Sequence, residues 1–112
     1  MTDEERKRVT KVISKLEKNI SSAQRREIFA SDLVGRKEAE LDEKLYELIK
    51  ESILALFDGR VPLEQAKQNA AEIGFNIYGN WKDKCVKNPN PVIVSSGIAY
   101  MLIYQGLDVS EL

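Results

Sequence analysis

Catalysis at neutral pH most often turns on histidine, and this chain of 112 residues has none. Its absence removes Ser-His-Asp and Cys-His nucleophilic sites, the commonest general base, and most zinc or iron centres. Chemistry without histidine uses paired carboxylates, lysine or metal-bound water, so the carboxylates come next. Glu40, Glu43, Glu47 and Glu51 recur at spacings of three and four, which brings them towards one face of a helix. Such a row can hold magnesium, and it can equally be a solvated helix face. Cys85 stands next to Lys84 and two residues before Lys87, neighbours that favour a thiolate. With no base and no second cysteine it can form neither an internal disulfide nor a thiolate metal cluster. It reads as an incidental thiol in a reducing cytoplasm. The six glycines are scattered, and neither GxxxxGK nor GxGxxG occurs. The expectation is a non-catalytic protein with no cofactor and no metal.

Binding chemistry is better represented. The net charge of −1 hides a split: Arg6 to Arg26 carries eight Lys/Arg against Glu17 alone, a local +7. Glu27 to Glu64 carries ten acids against five bases, a local −5. Lys7, Lys11, Lys15 and Lys18, joined by Arg25 and Arg26, form the candidate binding surface. A basic row of this kind suits a phosphate backbone without sequence readout, or an acidic protein partner. Against a dedicated nucleic-acid binder stands the overall pI of about 5.6. The acidic segment can also lie beside the basic one and neutralise it within the fold.

The elements that must position these residues read as helices. Val9, Val12, Ile13, Leu16 and Ile20 mark one face of a helix from about Asp3 to Ile20. At about 100° per residue the lysine stripe lies roughly 160° away, nearly opposite. Asp3, Glu4 and Glu5 suit the positive N-terminal end of that helix. Ser21 or Ser22 offers a fresh cap and Gly35 a stop, so residues 21–35 are either a separate helix or a continuation. A second strong helix is expected over 37–57, with Leu41, Leu45, Leu48, Ile49, Ser52, Ile53 and Leu56 as its stripe. Asp58-Gly59 ends it. Pro62 at a first helical position opens a third. Leu63, Ala66, Ala70, Ile73, Ile77 and Trp81 continue that face, Gly74 falls within it, and Gly79-Asn80 ends or kinks it.

The stretch from Val92 to Tyr104 carries no charge in a chain that is 31% charged. Its 13 residues fall short of the about 20 that cross a bilayer. Two strands about Ser95-Ser96-Gly97 would form a lone hairpin, marginal by itself. Asn90-Pro91 is an N-cap followed by a first-turn proline, and Gly106 is a stop signal. One helix over about 91–105, apolar all round and therefore buried, fits these signals. Ser95, Ser96 and Gly97 then permit close crossings. The fold class is all-α: a single domain of four to five helices around this buried C-terminal helix, with a short tail in which Asp108 or Ser110 can cap a further turn.

Two kinds of resemblance follow from these segments. Glu40-x-x-Glu43 resembles the first carboxylate pair of all-α nucleotide pyrophosphohydrolases of the MazG kind, but no Glu-x-x-Asp follows it. NPNPVIVSSGIAYMLIYQGLDVSEL resembles part of a cyclin-type repeat of archaeal general initiation factors. It is also similar to a helix of the small helical subunit of type III CRISPR effectors. Each covers about a fifth of the chain and transfers no site residue. Apolar residues off the main stripes, namely Phe29, Val34, Leu54, Phe57, Phe75 and Tyr78, exceed what one small core hides. The chain is accordingly expected to self-associate as a homodimer through its first three helices. It is read as an interaction or regulatory module, with accessory nucleic-acid binding as the alternative and no membrane insertion.

Overall fold

The computed structural model describes residues 2–73 and 81–112, so Gly74, Phe75, Ile77, Tyr78 and the Gly79-Asn80 stop lie outside the described residues. The described chain forms α1 (Asp3–Phe29), α2 (Leu33–Phe57), α3 (Leu63–Ile73), α4 (Trp81–Lys87) and α5 (Pro91–Tyr104), then a 3-10 turn at Val109–Glu111. Among the described residues there is no strand.

α1 begins on a reciprocal cap. Thr2 Oγ1 accepts from the Glu5 amide at 3.2 Å, and Glu5 Oε2 accepts from the Thr2 amide at 3.1 Å. The helix does not break at Ser21 but runs on to Phe29, with Ala23 buried on the continuing face. The break falls later, at Ala30-Ser31-Asp32, where Asp32 accepts from the Gly35 amide at 2.7 Å and caps α2. Gly35 is thus in the first turn of α2 rather than a stop, and α2 starts four residues before the expected 37. A three-residue connection makes the two long helices antiparallel neighbours. Pro62 sits one position before α3, its carbonyl accepting from the Ala66 amide at 3.2 Å. Trp81 does not extend the α3 stripe; it opens α4, a short helix that the sequence pattern did not separate.

α5 is the buried centre. It packs on α2 and α3, with α4 and α1 also against it. Val94, Ile98, Leu102 and Ile103 are buried to 1% exposure or less. Each such burial is worth roughly 1.5–3 kcal/mol. Asn90 accepts from the Val92 amide at 3.2 Å, Pro91 takes the first turn, and Gly106 follows the last with a φ of 71° that favours glycine.

Small residues let the neighbours approach. A Cβ built on Gly97 would stand 2.8 Å from the Ala70 amide nitrogen and 3.0 Å from its Cα. The backbones of α3 and α5 therefore meet directly at this point. Around it runs a buried polar seam. Ser95 Oγ and Ser52 Oγ are 2.9 Å apart, joining α5 to α2. Asn69 Nδ2 donates to Ser96 Oγ at 3.2 Å, joining α3 to α5. Among the described residues no buried side-chain polar atom lacks a partner.

Candidate functional site

The six candidate basic residues separate into two groups. Arg26 leans onto α2, both terminal nitrogens 3.1 Å from Asp42 Oδ2. Lys82 of α4 reaches the other oxygen of the same carboxylate at 2.7 Å, so Asp42 ties three helices together. Lys15 reaches Asp108 in the tail at 3.3 Å. Asp108 also accepts from the Ser110 amide, and these contacts hold its carboxyl below the usual range, the Ser110 amide contributing most. Arg8 is likewise structural: its Nη1 donates at 2.6 Å to the Ile103 carbonyl, one of those left open at the C-terminal end of α5.

Lys7, Lys11, Lys18 and Arg25 are exposed and make no ion pair with any described residue. On a helical projection they fall within about 40° of one another, so they form one straight row over about 27 Å. The row points away from the buried stripe of Val9, Val12, Leu16 and Ile20. α2 does lie beside α1, but it does not neutralise this row. The bridges between the two helices are Arg26 to Asp42 and, with the signs reversed, Lys50 to Glu17 at 3.3 Å.

The acidic row of α2 is dispersed in the same way. Glu40 pairs with Lys44 one turn on, and Glu43 accepts from Gln24 of α1 at 3.1 Å. Glu47 and Glu51 are exposed. Among the described residues no group of three potential ligands is placed to hold a metal ion. Cys85 is buried, and desolvation pushes its thiol up to about 11, against the activation that Lys84 and Lys87 suggested. Trp81 is in the core, and Tyr100 and Tyr104 pack against it. Trp81 stands 5.6 Å from Tyr46 and donates from Nε1 to the Leu112 carbonyl at 2.7 Å. Tyr100 and Tyr104 stack at 5.4 Å and are half-buried, not presented for base stacking.

A further surface is apolar. At the turn of the α1–α2 hairpin Ile28 is 72% exposed, Phe29 82%, Leu33 63% and Val34 67%. At the other end of α2, Leu54, Phe57 and Leu63 are only 36–43% exposed, and Arg6 stands over the Phe57 ring. Phe29 and Val34 stand out in the sequence as off-stripe residues. Ile28 and Leu33 do not, although the pairs Ile28-Phe29 and Leu33-Val34 flank the Asp32 cap and mark a hairpin end. No described helix is long and apolar enough to cross a membrane.

Compared with known protein families, curated proteins and solved structures, the chain matches none. The likenesses drawn for residues 88–112 are those of one buried helix and give no residue a role.

Proposed function

We propose that this chain is a small non-catalytic interaction module, acting through helix–helix contacts in the cytoplasm and self-associating as a homodimer. The observation that carries the reading is the hairpin end, where four large apolar side chains are each more than 60% exposed. Large apolar side chains gathered at one end of a small domain support a contact there. The remaining chemistry points the same way: a buried unactivated thiol, dispersed carboxylates and no histidine. The test is solution mass against protein and salt concentration. A homodimer at micromolar concentration, little changed by salt because apolar burial holds it, is expected. A single-chain mass at high protein concentration overturns the reading.

One observation favours a second reading, accessory nucleic-acid binding. Lys7, Lys11, Lys18 and Arg25 form an outward row without counter-charges, while Lys15 and Arg26 are engaged within the fold. Four phosphate contacts would give a slope of log affinity on log salt no steeper than about −3.6, a loss of roughly 150-fold between about 50 and 200 mM salt. Changing the four to Gln should abolish binding to duplexes of any sequence alike. Absence of binding by the unaltered protein at low salt removes this reading.

A further inference from the structure

We infer that the occupant of the hairpin end is a second copy of this chain, docked about a two-fold axis with Ile28, Phe29, Leu33 and Val34 at the centre of the contact. The inference rests on the self-association proposed above and says where and how it occurs.

Area is the first argument. From their fractional exposures the four side chains present roughly 500 Å² of apolar surface. A stable dimer buries about 800 Å² per partner, so the end supplies an apolar share of roughly 60%, close to the about 65% of homodimer contacts. Flanking polar groups must supply the remainder.

Charge is the second argument, and it selects the occupant. A two-fold contact joins a patch to itself, so a patch of a single sign would repel its own copy. With Arg26 held by Asp42 and Glu40 by Lys44, the charges left in residues 25–40 are three bases (Arg25, Arg36, Lys37) and three acids (Glu27, Asp32, Glu38), net zero. The segment before it is strongly basic and the one after it acidic, so this neutrality is local to the end. An anionic lipid surface or a highly charged protein would find no matching excess here. A second copy meets an equal mixture. Glu27 adds a detail. Its carboxyl is pushed above the usual range, first by its hydrogen bond to Glu43, then by burial and the charges of Glu43 and Glu40. Arg36 of the same chain offsets part of that crowding, and a cation on a second copy would offset more.

The experiment is sedimentation or light scattering on the full chain and on three variants. Phe29→Glu and Val34→Glu alter positions already 82% and 67% exposed, so helicity by circular dichroism should be unchanged. Leu63→Gln alters the opposite end. The unaltered chain and Leu63→Gln should show twice the 12.7 kDa chain mass. In the two tip variants the dissociation constant should rise at least about a hundredfold, because like charges are forced together at the axis. If the tip variants dimerise as well as the unaltered chain, the docking site is wrong although self-association stands. If the unaltered chain is a single-chain species at high concentration, the docking proposal and the self-association reading both fall.

Discussion

Gly97 allows a prediction whose sign is diagnostic. It lies inside α5, where replacing glycine by alanine normally gains about 1 kcal/mol of helix propensity. Here the added methyl would stand 2.8 Å from the Ala70 amide nitrogen, 3.0 Å from the Ala70 Cα and 3.0 Å from the Asn69 carbonyl carbon. All three are backbone atoms, so no rotamer change relieves the contact. α3 must withdraw by roughly half an ångström, and overpacking of that kind costs about 1–3 kcal/mol. Withdrawal also stretches the Asn69–Ser96 bond, already 3.2 Å, towards the limit of a hydrogen bond. Gly97→Ala should therefore be destabilising by about 0–2 kcal/mol once the propensity gain is subtracted. Gly97→Leu adds three further carbons with nowhere to go and should cost at least about 3 kcal/mol. For a domain of this size each kcal/mol lowers the melting midpoint by about 4 °C. Thermal unfolding followed by circular dichroism reads both variants. A higher midpoint for Gly97→Ala, or an unchanged one for Gly97→Leu, would refute a backbone-to-backbone crossing.

Other perturbations test the seam, the tail and the thiol. Ser52 can donate to the Leu48 carbonyl and Ser95 to the Val92 carbonyl, so each hydroxyl keeps a partner when the other becomes alanine. A double-mutant cycle in urea should then give a coupling of only about 0.5–1.5 kcal/mol, and zero coupling would discard the Ser52–Ser95 bond. Asp108 has its carboxyl lowered by Ser110 and Lys15, so its contribution is present above the unfolded value of about 3.9 and fades as pH falls through the lower folded value. Asp108→Asn should remove that part of the acid-side slope in stability; an unaltered slope contradicts the assignment. Cys85, at about 11, should resist alkylation at mildly alkaline pH until the chain is unfolded, and rapid labelling of the native protein would show it is not buried.

What the sequence revealed depended on whether the determining signal was local. α5 was legible from end to end because Asn90, Pro91 and Gly106 bracket it and its neutrality announces burial. The α1–α2 boundary was not, because two cap signals compete within a dozen residues. Ser21 is exposed, but Ile20 and Ala23 on either side of it are buried and keep the helix running, and the working cap is Asp32. Gly35 looked like a stop because glycine usually ends helices, yet its amide is what Asp32 binds. α4 has 7 residues, too few for a periodicity to emerge. At the candidate site the pattern placed the basic row on the outer face, but not the fate of each charge. Lys15 meets an acid 93 positions away and Arg26 one 16 away, pairings that only the tertiary fold decides.

The position of α5 along the chain also bears on how the protein is made. α1 packs chiefly on α2, but the apolar face of that hairpin is completed by a helix that ends 47 residues after α2 does, at Tyr104 against Phe57. At a synthesis rate of about 5–20 residues per second, the finished hairpin waits roughly 2–9 s for that cover. Throughout that interval Leu16, Ile49 and Ile53, all fully buried in the finished fold, have no α5 to pack against. Chaperones that hold nascent chains should therefore engage residues 9–56 transiently, and release should coincide with the emergence of α5.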